Sequence, residues 1–349
     1  MLNFTLPTPV VGGDEFPFAA AVLDHGHIGS MTSGLIAAGA KLKYVYDKDT
    51  RKAQAFAEKY GASVVSDFAE ILSDDSIRLV AAAAVPADRC GIGLSVMDAG
   101  KDYFTDKAPF TTLEQLEAAK AKTSATGRKY AVYYSERLCS ECSIYAGELI
   151  RAGAIGKAVN IIGTGPHRIG KDPRPDWFYQ KARYGGILCD IGSHQAEQFL
   201  YYTGAKSAVV SHSAIGNFHH PETPELDDFG EMNLIADNGA TGYHRVDWFT
   251  PDGLKSWGDG RCTIIGTDGY IELRKNVDIT RGGGDNVFLV NHEGEYHINA
   301  RGKTGYPFFG QLIRDCIDRT EISMTRDHAF LAAELCLIAQ RDAEILTNR

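Results

Sequence analysis

Long hydrophobic runs are missing from this chain of 349 residues. The longest uninterrupted one, Leu79 to Val85, is far too short to span a bilayer, so no membrane helix is expected. Positive charge is scarce as well. The chain has 36 Lys and Arg against 45 Asp and Glu, a net charge of −9, and no basic run stands out. Nucleic acid and anionic membrane surfaces are therefore not expected as partners. The first twenty residues have prolines and acids but no basic lead into an apolar segment, so no signal peptide is read there. Cysteine is sparse, odd in number and scattered, seven in all, which suits a reducing cytoplasm better than a disulfide framework. Cys139-Ser-Glu-Cys142 has no second pair at zinc spacing. Leu138, Cys142, Tyr145, Leu149 and Ile150 around it follow a helical period, which points to packing. His219-His220 beside Pro221 reads as an exposed loop, and no metal site is expected. Repeats, low-complexity tracts and linkers are absent too.

What is present is the composition of a globular protein with ample core, 44% hydrophobic and 23% charged. The length exceeds one average domain. Strand and helix patterns alternate through the first 135 residues, ending in a strand from Lys129 to Tyr134. Such alternation implies right-handed crossovers and an α/β, doubly wound parallel sheet of Rossmann type over residues 1–135. After Ile155 the pattern changes to a strand over Ala158–Gly163, a loop over Gly165–Gln180 and a helix over Ser193–Tyr202. Strands then follow over 229–235, 241–248, 262–265, 270–273 and 287–290, separated by Asn238-Gly239, Asp268-Gly269 and Glu293-Gly294 turns. Helices over Phe308–Ile317 and His328–Ile345 close the chain. Residues 136–349 therefore read as an α+β domain with a large, mostly antiparallel sheet, whose last helix could return to the first domain.

The most informative stretch is Phe18-Ala-Ala-Ala-Val-Leu-Asp-His-Gly-His-Ile-Gly29, an apolar strand running into a turn. A dinucleotide fingerprint reads Gly-x-Gly-x-x-Gly at such a junction. Gly26 and Gly29 supply its last two glycines, and Asp24 replaces the first. Aspartate tolerates left-handed backbone angles and can accept hydrogen bonds from turn amides. Its charge near a pyrophosphate is unfavourable unless His25 or His27 compensates. Ile28, Met31, Leu35 and Ile36 then follow a helical period, and Gly39 stands where a terminating glycine belongs. The next strand, Lys41–Tyr46, ends at Asp47, 18 positions beyond Gly29, where an acidic residue grips the ribose hydroxyls. That carboxylate would repel a 2′-phosphate, which favours NAD over NADP. Asp24, His25, Gly26, His27, Ile28, Gly29 and Asp47 are thus cofactor-binding candidates, joined by Pro86 directly after the Leu79–Val85 run.

Two further groups carry chemistry. Thr105-Asp-Lys-Ala-Pro-Phe110 follows a sheet strand at the edge where ligands bind, and Lys107 there could hold a developing alkoxide. In Tyr184-Gly-Gly-Ile-Leu-Cys-Asp-Ile-Gly-Ser-His194, Asp190 and His194 are four apart at a helix start. They project from one face, the arrangement of a carboxylate positioning an acid/base imidazole. A capping aspartate beside a half-buried histidine would show the same spacing.

Together the turn, Asp106-Lys107 followed closely by Pro109, and Gly185-Gly186 leading to Asp190-x-Gly192-x-His194 resemble the Gfo/Idh/MocA family of NAD(P)-dependent oxidoreductases over almost the whole chain. The family's usual Glu-Lys-Pro reads Asp-Lys-Ala-Pro here, and its three glycines read Tyr184-Gly185-Gly186. The resemblance implies hydride transfer at a secondary alcohol of a sugar, sugar acid or cyclitol, with the nicotinamide between the two domains. Lys107 would contact the reacting hydroxyl, His194 would exchange its proton and Asp190 would orient the histidine or bind a neighbouring hydroxyl. Either Lys107 or His194 can be the proton acceptor within the family. The second domain's sheet would mediate a homo-oligomer.

His167, Arg168, Trp177 and Tyr134 are substrate-binding candidates, with Glu136 close by. Aromatic faces plus Arg and His suit a polyol or a carboxylated sugar. In the alternative, Trp177 and Phe178 only pack the loop and Arg168 pairs at the surface. Two other functions fit the same residues: a glycosidase that oxidises, eliminates and re-reduces with NAD, and a nucleotide-sensing regulatory protein.

Overall fold

The computed structural model describes residues 2–170 and 174–347, so part of the expected Gly165–Gln180 loop, residues 171–173, lies outside the described residues. Contacts divide the chain into two compact units. The first holds Pro7–Tyr133 with Tyr306–Ala329, and the second holds Tyr134–Gly305, Phe330 onward and the residues up to Leu6.

In the first unit, six strands alternate with five helices: β1 (Pro17–Ala21), α1 (His27–Ala37), β2 (Lys41–Tyr46), α2 (Thr50–Tyr60) and β3 (Ser63–Val64). They continue with α3 (Phe68–Ser73), β4 (Leu79–Ala82), α4 (Pro86–Asp98), β5 (Asp102–Asp106), α5 (Leu113–Thr126) and β6 (Tyr130–Tyr133). All strand pairs are parallel, in the order β3-β2-β1-β4-β5-β6. This is the doubly wound dinucleotide order, whose switch point lies beside β1 and β4. Both central strands are apolar without alternation because helices cover both faces of a parallel sheet. Helix α1 ends as its sequence indicates, with Gly39 at φ +103 and its N–H on the Ile36 carbonyl.

The second unit begins with α6 (Ser135–Leu138), α7 (Glu141–Arg151) and β7 (Ala158–Pro166), then α8 (Lys181–Tyr184), α9 (Ile187–Asp190) and α10 (Gly192–Thr203). Strands β8 (Ala208–Gly216), β9 (Phe229–Ala236), β10 (Thr241–Asp247), β11 (Arg261–Gly266), β12 (Gly269–Arg274), β13 (Asn286–Asn291) and β14 (Gly294–Asn299) follow. Helix α11 (Phe308–Asp318) belongs to the first unit, where Phe308 and Phe309 pack on Phe104. Helix α12 (Arg326–Arg341) and β15 (Glu344–Leu346) end the described chain.

The nine-stranded sheet runs β14-β13-β12-β11-β7-β10-β9-β8-β15, antiparallel except for the β7/β10 and β8/β15 pairs. Helices α7, α9 and α10 cover one face, over Ile161, Leu234, Ile264 and Leu273. Alternation turns Ile162, Tyr243, Ile265 and Tyr270 to the other face, where they are exposed.

Three details depart from the sequence reading. The closing helix stops at Arg341, and Ile345, expected in it, lies in β15 paired with β8. Strands β8 and β14 were not anticipated because their mixed polar sequences sit at or near the sheet's edges, where no apolar alternation is demanded. Third, the left-handed residue of the turn after β1 is Val22, at φ 53, and not Asp24. The turn therefore bends two residues earlier than a glycine fingerprint would place it.

Candidate active site

Helix α1 opens at Gly26, which has no side chain to cap it, and Nδ1 of His25 accepts the His27 N–H at 3.3 Å. A Cβ on Gly26 would meet nothing within 4 Å, so an anionic group can approach the backbone there. Ile28 is buried in the helix that follows. Asp47 at the end of β2 braces the turn. Its Oδ2 accepts the Leu23 N–H at 2.7 Å and its Oδ1 the Asp49 N–H at 2.9 Å. A carboxylate has four lone-pair positions, so capacity for ribose hydroxyls remains. These features fit a dinucleotide, with the open Gly26 backbone facing the phosphates and Asp47 at the ribose.

The expected compensation of Asp24 by a neighbouring histidine is not what the structure shows. Lys52 of α2 reaches Asp24 at 3.5 Å and Asp47 at 3.7 Å. The histidines are drawn elsewhere: Nδ1 of His25 and Nδ1 of His27 each lie 2.8 Å from an oxygen of Asp106. The imidazoles that the turn offers are thus committed to a buried carboxylate.

Asp106 ends β5, directly before Lys107, and is fully buried. Besides the two imidazoles it accepts the Lys107 N–H at 2.8 Å and Nη2 of Arg89 at 3.4 Å. Burial alone would raise its carboxyl, but His27, His25 and Arg89 hold it well below the ordinary range. His25 is lowered by its own burial, against the pull of Asp106. Arg89, buried in α4, also donates to the carbonyls of Ala84 and Ala108. It ties the end of β4 to the residue after Lys107, whose peptide bond to Ala108 is cis. Pro86 occupies the first turn of the same helix, where its missing N–H costs nothing. Lys107 itself is buried. Among the described residues, His25, His27 and Asp106 are a group whose atoms converge closely enough to hold a metal ion. A cation there would have to displace both imidazole hydrogen bonds.

In the second unit the chemistry gathers around the start of α10. Gly186 sits at φ +88 between α8 and α9, and a Cβ there would collide with Gln340. Gln340 in turn accepts the Leu188 N–H and donates to Asp227. Asp190 closes α9 and His194 lies in the first turn of α10, so the pair straddles a junction of two helices. His194 is buried and Asp190 half-buried. One turn later Glu197 forms a buried pair with Arg137 at 2.5 Å, which locks α10 onto α6. Tyr134 is buried with its ring edge-on to His194 at 6.5 Å, and burial pushes its hydroxyl well above its ordinary value.

Glu136 is the centre of this region. Its Oε2 accepts Nζ of Lys275 at 3.0 Å and Nε2 of Gln195 at 3.2 Å, and Nε2 of His167 lies 3.8 Å from Oε1. Burial would raise its carboxyl, but Lys275, His194 and His167 bring it down to about 2. His167 packs against Trp248 and Trp257. Arg168 turns away, donating to the carbonyls of Pro251, Leu254 and Ser256. Trp177 is half-buried against Phe178, which is itself buried under Trp248 and the Arg174 guanidinium. Nearby, His244 is buried under α10, and burial with the Lys275 charge pushes it down to about 3.

Sequence reasoning missed Arg89, Lys275, Gln195 and Lys52. Only Gln195 left a signal, as one of the consecutive polar residues Ser193-His194-Gln195 that the helix buries.

Both halves of this arrangement define a class: a Rossmann nucleotide unit joined to an α+β unit that buries an ionised polar cluster. Residues 20–134 match the oxidoreductase family with an NAD-binding Rossmann fold, and residues 144–272 match the GFO/IDH/MocA C-terminal domain. The chain belongs to the Gfo/Idh/MocA family of oxidoreductases, and its cofactor is NAD. A crystal structure of an oxidoreductase from Erwinia carotovora atroseptica SCRI1043 is 49% identical, with a TM-score of 0.92, covering 95% of this chain and 100% of that one. The scyllo-inositol 2-dehydrogenase (NAD(+)) of Bacillus subtilis (strain 168) is 28% identical over 74% of each chain. Levoglucosan dehydrogenase in complex with NADH shares the fold at a TM-score of 0.73 and 19% identity, covering 93% of this chain and 95% of that one. Among the described residues, no helix is long and apolar enough to cross a membrane.

Proposed function

We propose that this oxidoreductase moves a hydride between a secondary alcohol of a sugar or cyclitol and the nicotinamide of NAD. The observation that carries the reading is the buried cluster of Glu136, Lys275 and His167 beside His194. It is suited to a polyhydroxylated ligand, in a chain whose family binds NAD. The similarity to the Bacillus inositol dehydrogenase supports the same substrate class.

Bound NAD would supply the hydride acceptor, held at the Gly26–Gly29 turn and Asp47, with Pro86 close to it. Lys107 hydrogen-bonds the reacting oxygen and stabilises the alkoxide as the carbon gives up its hydride. His194 takes the hydroxyl proton, and Asp190 holds the imidazole or a neighbouring hydroxyl. Tyr134 and His167 contact the substrate. Arg168 and Trp177 are left out of this role because their side chains serve the loop around them.

The test is NADH formation over a panel of polyols. Loss of turnover in Lys107→Ala and His194→Ala with NAD still bound supports these roles. Unchanged turnover in both removes them.

The reading extends to a homo-oligomer through the exposed face of the second sheet, where Ile162 pairs with Tyr243 and Ile265 with Tyr270. Size-exclusion chromatography of Tyr243→Asp should then show a smaller species than wild type. Seven scattered cysteines, an odd number, suit a reducing compartment, and we place the protein in the cytoplasm.

A further inference from the structure

We propose that His25, His27 and Asp106 form a binding site for a divalent transition cation of the zinc class, separate from the polyol chemistry proposed above. Two imidazole nitrogens and a carboxylate are a donor set that suits Zn²⁺, Ni²⁺ or Cu²⁺, whereas Mg²⁺ and Ca²⁺ take oxygen.

The fold brings the three residues together from distant positions. His25 and His27 flank Gly26 where β1 leads into α1. Asp106 ends β5, and because β1, β4 and β5 are parallel all three strands finish on the same edge of the sheet. The His25 N–H donates to the Ala83 carbonyl at 2.8 Å, which fixes that residue beyond the end of β4. The two imidazoles stand edge to face with centroids 4.4 Å apart, and the His27 ring is edge-on to Tyr133 at 5.7 Å. Packing thus orients both rings before any ion arrives.

The distances suit a metal. Nδ1 of His25 lies 2.8 Å from Oδ2 of Asp106, and Nδ1 of His27 lies 2.8 Å from Oδ1. One ligand atom from each residue falls within 4.8 Å of the other two. Ligands about 2.1 Å from one metal stand roughly 3.0 Å apart at right angles and about 4.2 Å apart when opposed. Small side-chain shifts therefore suffice to seat an ion among the three, in place of the protons through which imidazole and carboxylate meet.

The surroundings hold the carboxylate ready. The Lys107 amide donates to Oδ1 at 2.8 Å, and Nη2 of Arg89 lies 3.4 Å from Oδ2. Outer partners of this kind orient a ligating carboxylate. The Arg89 charge opposes that of the cation, so the affinity should be of micromolar order and not that of a structural zinc site. Asp106 is fully buried while the imidazoles of His25 and His27 are 29% and 31% exposed, so the remaining coordination positions face outward. Water or an anionic oxygen can fill them, as at zinc sites with three protein ligands.

The experiment titrates nucleotide-free, chelator-treated protein with ZnCl₂ and with MgCl₂ by calorimetry. Crystals of the wild type soaked in ZnCl₂ are then measured for anomalous scattering at the zinc edge. Zn²⁺ should bind with a micromolar Kd and Mg²⁺ far more weakly. The anomalous peak should lie among Nδ1 of His25, Nδ1 of His27 and the Asp106 carboxylate. His25→Ala and His27→Ala should each raise the Kd by about 10-fold or more, and the double variant His219→Ala/His220→Ala should leave it unchanged. An anomalous peak only elsewhere, no zinc binding, or Mg²⁺ bound as tightly as Zn²⁺ would each overturn the proposal. So would a Kd within twofold of wild type in both His25→Ala and His27→Ala. The anomalous peak is read on the wild type, so the answer stands even if the variants fail to fold.

Discussion

Asp106 in the first unit and Glu136 in the second are both buried carboxylates beside histidines, and the two are treated differently. Asp106 has every oxygen served: His25, His27, Arg89 and the Lys107 amide all converge on it. On Glu136, Oε2 accepts from Lys275 and Gln195, while among the described residues Oε1 accepts no hydrogen bond and has Nε2 of His167 3.8 Å away. Both are held ionised against the cost of burial. The saturated carboxylate is a structural hub that fixes the nucleotide turn, α4 and the lysine loop to one another.

The strongest way to break this comparison is Asp106→Asn, which leaves the buried Arg89 charge opposite an amide. Removing one partner of such a pair costs about 3–5 kcal/mol, so the urea midpoint should fall sharply. A variant as stable as wild type would show that Asp106 is no hub.

Lys107→Met, next in size, should lower kcat/KM by about 10²–10³-fold with little change in stability or NAD affinity. Equal losses in NAD affinity and turnover would instead mean that the lysine belongs to the cofactor grip.

Acid titration separates the second unit's groups. Glu136 falls from an unfolded value of 4.5 to about 2, so its contribution is complete above pH 4.5 and is lost as the pH drops toward 2. His244 falls from 6.5 to about 3, staying neutral in the fold while the unfolded chain takes up a proton, so stability declines from pH 6.5 downward. Each full proton difference gives a slope of about 1.4 kcal/mol per pH unit. His244→Phe should therefore make urea stability fall less steeply between pH 6.5 and 4.5, where the lowered His25 still contributes, and leave the decline below it. Wild-type stability that is already flat in that window would contradict a neutral His244.

The smallest effect belongs to Lys52→Ala. It leaves Asp24 and Asp47 without their shared cation, and because the pairs are partly solvated NAD affinity should weaken only about two- to fivefold. Tighter binding would mean that Lys52 obstructs the nucleotide.

Much of this was legible before any coordinates. Alternating periods gave the parallel sheet, since Leu79–Val85 and Lys41–Tyr46 could hardly be anything but strands between helices. Gly26 and Gly29 lie at the start of α1 and Asp47 directly after β2, as their spacing indicates, and Lys107, Asp190 and His194 are proposed for the chemistry on residue type and spacing. What stayed hidden depended on partners far apart in sequence. Lys275 meets Glu136 across 139 positions, and nothing near either residue announces the other. The left-handed angle fell on Val22, which local preference would not select, because the bend is imposed by the strand it leaves. Strands β8, β14 and β15 escaped notice because edge positions require little hydrophobic alternation.

By itself the sequence determined the order of strands and helices, the family and the residue types available for catalysis. Periodicity, glycine placement and charge are local properties that a chain carries into any environment. Only the tertiary structure decided how those charges are used. It gave the turn's histidines to Asp106, gave Arg168 to a loop, and brought Lys275, Gln195 and His167 around Glu136. Hydrogen bonds saturate, and which donor reaches which acceptor first is a matter of where the fold puts them.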